Sequence, residues 1–349
     1  MALCRRPGPW DDMMPTTSEA PRPRGTLSAR PLSTPMSRKS ERVIAGRYDL
    51  VRVIGKGGMA SVFLADDAET GRQVAVKLLH AHLAADLDVR ERFANEIRAI
   101  RRIDHPNVVR ALDDGDHQHR PYLVLELVDG ESMASYLRRS GPLPPDEALS
   151  LTRHAARGLA AMHAAGVVHR DVTPGNLLLV HVAGEPYAIK ISDLGLASIA
   201  GHTDDLDSTL AGTTSYMAPE LVVGEEPDHR ADVYALGMVM FFALTGELPF
   251  TGRSPAEVYA HQLVSPAPPP SWLVDDLDPN IDRIVLTALR KDPAYRYATM
   301  NAMFQDIERA LKLRAGTPNG VAATPPSDRY HPKTEEGRQL LERLVAAQA

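Results

Sequence analysis

The chain has 349 residues, 44% of them hydrophobic, which exceeds the usual single-domain size and supports two lobes or domains around a substantial core. A net charge of −6 argues against a nucleic-acid binder with a dominant basic face, and a single cysteine, Cys4, leaves no internal disulfide framework, as in a reducing compartment. The longest suspect apolar run, Val233 to Leu244, is shorter than the roughly 20 residues that span a bilayer and reads as a buried helix.

Residues 1–45 are rich in Pro, Ser, Thr and Arg with few aromatics, the composition of a disordered arm, and lack the continuous apolar core of a secretory signal. The first regular pattern is Leu50-Val51-Arg52-Val53, then Ile54-Gly55-Lys56-Gly57-Gly58-Met59-Ala60-Ser61-Val62, then Phe63-Leu64-Ala65: strand, glycine turn, strand. Small residues in such a turn let backbone N–H groups approach phosphates closely, although an ordinary hairpin turn reads the same way. Val74-Ala75-Val76-Lys77 follows as an apolar strand carrying one Lys. Unless that Lys snorkels to the surface, it needs a counter-charge. Glu96, within the helical pattern Phe93, Ile97, Ile100, can supply it, with Glu91 a turn earlier as the competitor.

His169-Arg170-Asp171-Val172-Thr173-Pro174-Gly175-Asn176 is the most informative stretch, because it places a carboxylate and a carboxamide close together in a short loop. Such a pair reads as a phosphoryl-transfer site, with Asp171 taking a hydroxyl proton and Asn176 holding magnesium on a nucleotide. Further on come Ile189-Lys190-Ile191-Ser192-Asp193-Leu194-Gly195, a run Asp204 to Tyr216 rich in Asp, Ser and Thr, Met217-Ala218-Pro219-Glu220, Asp232-Val233-Tyr234-Ala235-Leu236-Gly237, and Lys291-Asp292-Pro293-Ala294-Tyr295-Arg296. The pairs His80/His82 and His117/His119 lack a third ligand at nearby spacing and read as surface residues rather than a metal site. Beyond residue 312, a Pro- and Thr-containing linker leads to a stretch in which Leu340, Leu341, Leu344 and Val345 share one helical face; a fraying terminal helix is the expectation, ahead of one docked on the domain or on a partner.

In this order and at these spacings, from roughly Tyr48 to Leu311, the motifs resemble those of the eukaryotic-like serine/threonine protein kinases that are also widespread in bacteria. The resemblance implies an α+β, two-lobed fold: a β-rich lobe with one helix over about 46–128, a mainly helical lobe over about 129–312, and a linker with a short helix over 313–349. ATP would sit between the lobes beneath residues 54–62. Backbone groups of Glu126-Leu127-Val128 would bind the adenine edge, Leu125 would guard the pocket behind it, and Ile54, Val62, Ala75 and Leu178 would sandwich the ring. Lys77, held by Glu96, would position the α/β-phosphates, while Asp193 and Asn176 would hold Mg2+ and Asp171 would orient the acceptor hydroxyl. Asp232 resembles the residue that braces the catalytic loop, and Arg296 the one that pairs with Glu220. Arg170 would pair with a phosphate on Thr209 or Ser208 after autophosphorylation, and Thr213 favours a Ser or Thr acceptor over Tyr.

Three positions depart from the family pattern: Ala60 replaces the third loop glycine, Leu194 a Phe, and Thr173 a Lys that would face the γ-phosphate. Thr173 keeps a hydroxyl within reach of Asp171, and the missing cation implies a slower enzyme. The leading reading is therefore a protein serine/threonine kinase using ATP and Mg2+ on a protein substrate, with a transient homodimer for trans-autophosphorylation. The alternatives are a pseudokinase scaffold and a small-molecule kinase of similar fold, the latter having no need of an acceptor-peptide loop. Related bacterial kinases often carry a transmembrane segment and sensor domain after the catalytic domain; neither follows here, so a soluble cytoplasmic protein without nucleic-acid partners is expected.

Overall fold

The computed structural model describes residues 42–182, 185–193, 214–314 and 329–346. Six strands, β1 (Val43–Ile44), β2 (Tyr48–Lys56), β3 (Ala60–Asp67), β4 (Gln73–Leu79), β5 (Ala111–His117) and β6 (Arg120–Glu126), form an antiparallel sheet in the order β1-β2-β3-β4-β6-β5. Alternation along β4 divides its side chains between two faces. Val74, Val76 and Leu78 join Ile44, Tyr48, Ala65, Tyr122 and Val124 on one face, whereas Ala75 and Leu79 join the main core on the other. Lys77 shares the parity of Ala75 and Leu79, so the strand delivers its ammonium to the main-core side.

Helix α1 (Leu87–Ile100) lies on that side. Asp86 caps it by accepting the N–H groups of Asp88 and Val89 at 2.9 and 3.1 Å, which satisfies two donors that a helix start leaves open. Its buried stripe is Val89, Phe93, Ile97 and Ile100, spaced for one helical face.

The second lobe is mainly helical. It holds a small sheet of β7 (Glu131–Ser132), β8 (Leu177–Val182) and β9 (Glu185–Ile191), and the helices α2 (Met133–Ser140), α3 (Pro145–Ala164), α4 (Pro219–Val222), α5 (Arg230–Thr245), α6 (Pro255–Val264), α7 (Pro279–Ala288), α8 (Met300–Arg314) and α9 (Glu335–Ala346). Helix α5 contains the apolar run singled out in the sequence and is buried on nearly every side, including at Asp232. Such a helix needs neighbours all round, and α3, α7 and α8 provide them. Among the described residues no helix is long and apolar enough to cross a membrane.

One tie between the lobes positions the site. Asn107, buried just before β5, donates its side-chain amide to the Ile189 carbonyl at 2.8 Å and accepts the Ile191 N–H on its own carbonyl at 2.9 Å, while Val109 N–H donates to the Ile191 carbonyl at 2.9 Å. Gly158 on α3 lets that knot form, since a Cβ there would stand 2.7 Å from the Asn107 carbonyl oxygen. The C-terminal end of β9, and with it Asp193, is thereby fixed to both lobes.

Candidate active site

The β2–β3 turn is closed by Gly57 N–H donating to the Ala60 carbonyl at 2.9 Å. Neither Gly57 nor Gly58 has a positive φ. A Cβ on Gly58 would meet nothing within 4 Å, and one on Gly57 would meet only the Ala60 carbonyl, at 3.5 Å. Backbone strain and internal crowding therefore do not demand glycine here; what glycine gives at these positions is a backbone open to approach. Met59 and Ala60 turn inward and are buried in the main core, so of the run 54–62 only backbone groups and the exposed Ile54, Lys56, Gly57 and Gly58 face solvent outright, with Gly55, Ser61 and Val62 half-buried. Ser61 Oγ lies 3.0 Å from His80 Nε2, which anchors the strand beyond the turn.

Register carries Lys77 under this turn, with Val62 as its partner on β3 and Leu123 on β6. Its side chain is 11% exposed, and Nζ donates to Asp193 Oδ1 at 3.0 Å. That contact answers the need for a counter-charge with a residue 116 positions away. Glu96 lies on α1, but its side chain is outside the described residues.

Asp171 and Asn176 meet as the loop spacing implies: Asn176 Nδ2 donates to the Asp171 carboxylate at 2.9 Å and to the Asp171 carbonyl at 2.8 Å. Burial pushes the Asp171 carboxyl above its ordinary range, with neighbouring Asp193 adding to the rise and His169, Asn176 and Lys77 opposing it. A carboxyl raised in this way is a better proton acceptor than a solvated one. The Thr173 hydroxyl makes no hydrogen bond to Asp171, and Thr173 is half-buried in extended backbone.

The loop is held by Asp232, whose fully buried carboxylate accepts three hydrogen bonds: from His169 N–H at 2.8 Å, Arg170 N–H at 2.7 Å and His163 Nε2 at 2.7 Å. Arg170 needs the help, because its φ of +65° is a left-handed conformation that costs a non-glycine residue about 1–2 kcal/mol. His169 joins two loops: its Nδ1 accepts the Asp171 N–H at 3.3 Å and its Nε2 donates to the Ser192 carbonyl at 2.9 Å. Ser192 N–H returns a bond to the Asn176 carbonyl at 2.9 Å. Asp193 follows with φ +55°, another left-handed residue, its side chain held by Lys77.

These bonds test the fit of a divalent cation. The Asn176 amide nitrogen is committed to Asp171, which leaves its carbonyl oxygen available beside the loop, and the Asp193 carboxylate is 47% exposed. Two hard oxygen donors with room for water and phosphate suit Mg2+, which seldom takes a full protein cage. Among the described residues no group of three or more His, Cys, Asp or Glu side chains is arranged to hold a metal alone.

At the far side of the cleft, Val62, Val128 and Leu178 are half-buried against the main core, while Ala75 and Leu125 are buried. Glu126 is tied on both sides: its carboxylate accepts the Arg110 N–H at 2.9 Å and an ion pair from Lys190 on β9, while its own N–H donates to the Arg110 carbonyl at 2.9 Å. Sequence reasoning missed the Lys190 and His163 contacts. Lys190 stands alone between Ile189 and Ile191, and that alternation was the available signal; His163 lies in the last turn of α3 and carried none.

Past Asp193, the residues Thr209, Ser208, Thr213 and Leu194 lie outside the described residues. The chain returns at Thr214–Tyr216, and α4 sets Glu220 against Arg296, with Nη1 and Nη2 each 2.7 Å from a carboxylate oxygen.

The model of the protein kinase domain matches residues 48–306. The chain is 36% identical over 269 residues to the serine/threonine-protein kinase PrkC of Bacillus subtilis, covering 77% of this chain and 41% of that protein. It is 38% identical over 274 residues to the serine/threonine-protein kinase PknB of Mycobacterium tuberculosis, covering 76% of this chain and 43% of that one. The chain thus spans less than half the length of these curated relatives. The crystal structure of the Mycobacterium tuberculosis PknI kinase domain superposes with a TM-score of 0.59 at 28% identity, covering 76% of this chain and 97% of that one.

Proposed function

The chain belongs to the protein kinase family, and from that premise we propose that it transfers the γ-phosphoryl group of ATP to serine or threonine hydroxyls of a protein. One observation carries the reading: Lys77 and Asp193 meet at 3.0 Å beside the bonded pair Asp171–Asn176, so three distant segments bring a cation, two carboxylates and a carboxamide to one cleft.

In this reading ATP lies beneath residues 54–62, and the open backbone of Gly57 and Gly58 faces its phosphates. Its adenine edge meets the backbone of Glu126 and Val128, and Ile54, Val62, Ala75 and Leu178 flank the ring. Lys77 orients the α/β-phosphates, and Asp193 and Asn176 hold Mg2+, which when bound neutralises phosphate charge. Asp171 accepts the acceptor hydroxyl's proton as the new O–P bond forms and the bond to the ADP oxygen breaks. The segment from residue 214 to α4 serves as the shelf for an extended acceptor peptide. Thr213 selects Ser or Thr acceptors, and modification of Thr209 or Ser208, in trans within a transient homodimer, is the proposed activating step. The work belongs in the cytoplasm. Positioning and electrostatics supply most of the rate.

Incubation with γ-labelled ATP and Mg2+, with Asp171→Asn alongside, tests the proposal. Label should appear in the unmodified protein and in a Ser/Thr peptide but not with the variant. Equal labelling by both, or none by either while nucleotide still binds, would remove the proposal's basis.

A further inference from the structure

The chain beyond the helical lobe comes back onto it. Tyr330 is 1% exposed and packs with Val223 and Leu263, and the half-buried Val222, Val264, Leu341 and Leu344 extend the contact. Instead of fraying, α9 is therefore docked on α6. Tyr330 N–H donates to the Leu263 carbonyl at 2.8 Å, continuing the chain of α6 into the returning segment. Its hydroxyl donates to Glu225 Oε2 at 2.5 Å, while the N–H groups of Thr334, at 2.9 Å, and Lys333 reach Oε1. Glu225 is 8% exposed, and among the described residues the donors to its carboxylate come from residues 330–334. Gly337 brings the first turn of α9 to within touching distance of this loop, since a Cβ there would lie 3.3 Å from Val223 Cβ.

Both elements gripped by this segment hold the acceptor shelf. Glu225 N–H donates to the carbonyl of Glu220, the residue anchored by Arg296, at 2.9 Å. From α6, the fully buried Gln262 donates its amide to the Ser215 carbonyl at 2.8 Å, at the point where the chain enters the shelf. Among the described residues, the hydrogen bonds of 329–346 to the rest of the chain go to Glu225 and Leu263, on the two supports of the shelf, and none goes to a residue assigned to the nucleotide.

We propose that residues 329–346 form an intramolecular brace for the acceptor-peptide shelf, with Tyr330 as a positioning residue that acts through Glu225 and α6 on peptide binding. The proposal deepens the kinase reading and rests on it for its kinetic arm. Loss of the brace should loosen 214–223 and weaken peptide binding, because a peptide would then bear the ordering of its own shelf. Nucleotide binding should not respond.

The test uses the full chain with Tyr330→Phe, which keeps the ring and removes the hydroxyl, and with Leu341→Asp/Leu344→Asp, which puts two charges into the α9 contact. Steady-state kinetics with a Ser/Thr peptide and hydrogen exchange over 214–223 and 335–346 are measured on each. We expect the double variant to release α9, to raise exchange at 214–223 and to raise peptide KM about tenfold, the equivalent of one charge-assisted hydrogen bond, with ATP KM and kcat unchanged. Tyr330→Phe should lie between it and the parent. Released α9 with unchanged exchange at 214–223 would overturn the brace. So would a fall in peptide KM, which would make the segment a block, or a parallel fall in kcat and melting temperature with a rise in ATP KM, which would make it general stabilisation. If the parent labels no peptide, the kinase reading fails, while exchange at 214–223 still decides the brace.

Discussion

Replacing Arg296 with methionine should cost the fold about 4 kcal/mol, because it strands a buried carboxylate. The Arg296 side chain is 0% exposed and that of Glu220 5%. A guanidinium has five N–H donors, and all five are used: two go to Glu220 at 2.7 Å each, and the others to the carbonyls of Arg290 at 2.7 Å, Lys291 at 2.8 Å and Arg230 at 3.0 Å. The Tyr234 ring lies beneath the group, 5.0 Å from its carbon. Methionine roughly fills the volume and so limits the cavity cost, but it removes both guanidinium donors from the Glu220 carboxylate and one donor from each of three carbonyls. Breaking a buried ion pair from one side costs about 3–5 kcal/mol.

Urea unfolding with nucleotide absent is the assay, with the slope checked for constancy between variants. The sharper comparison adds Glu220→Gln and the double variant. If the loss in Arg296→Met is the stranded charge, removing that charge as well should restore part of the stability, so the double variant should be more stable than the sum of the two single losses allows. A loss below about 1 kcal/mol in Arg296→Met, or strict additivity in the cycle, would refute the reasoning.

At Thr173, a change to Lys should return a cation to the γ-phosphate; since one such donor is worth about 10²–10³ in rate, kcat should rise severalfold or more at unchanged stability, and a flat kcat would show that Lys77 and Mg2+ already suffice. Asp171→Asn should abolish transfer yet stabilise the metal-free fold. The folded carboxyl is held above its ordinary value near 3.9 by burial, so the stability linked to its proton is present below that value and is lost as pH rises through the folded one. The variant's advantage in thermal unfolding should therefore open as pH climbs from about 4, and a variant that melts lower at neutral pH would contradict this. Lys190→Met should remove the ion pair of Glu126 while keeping its bond from Arg110 N–H, loosen residues 126–128 against β9 and raise ATP KM more than peptide KM; equal changes in both would count against a role at the adenine edge.

What the sequence revealed depended on the range of each interaction. Local patterns carried far: the alternation in Val74-Ala75-Val76-Lys77 marks a strand buried on both faces, the stripe Phe93, Ile97, Ile100 marks α1, and the run from Val233 marks a helix buried all round. The Asp171–Asn176 bond was legible too, because five positions of short loop bring the two side chains together whatever the rest of the chain does. The partner of Lys77 was harder. Spacing suggests candidates on the next helix, but the 3.0 Å contact to Asp193 depends on where β9 ends, and that is set by Asn107 and Gly158 from two other elements. The same holds for the carboxylates. Asp232 could be matched by motif, but the donors of Glu225 arrive from 105 to 109 positions away, across a linker whose composition says only that it need not pack. A buried carboxylate that collects three donors from one returning segment holds that segment by an energy that no periodicity in α9 encodes. The docked end of this chain is thus a property of Glu225 as much as of the leucines that face it.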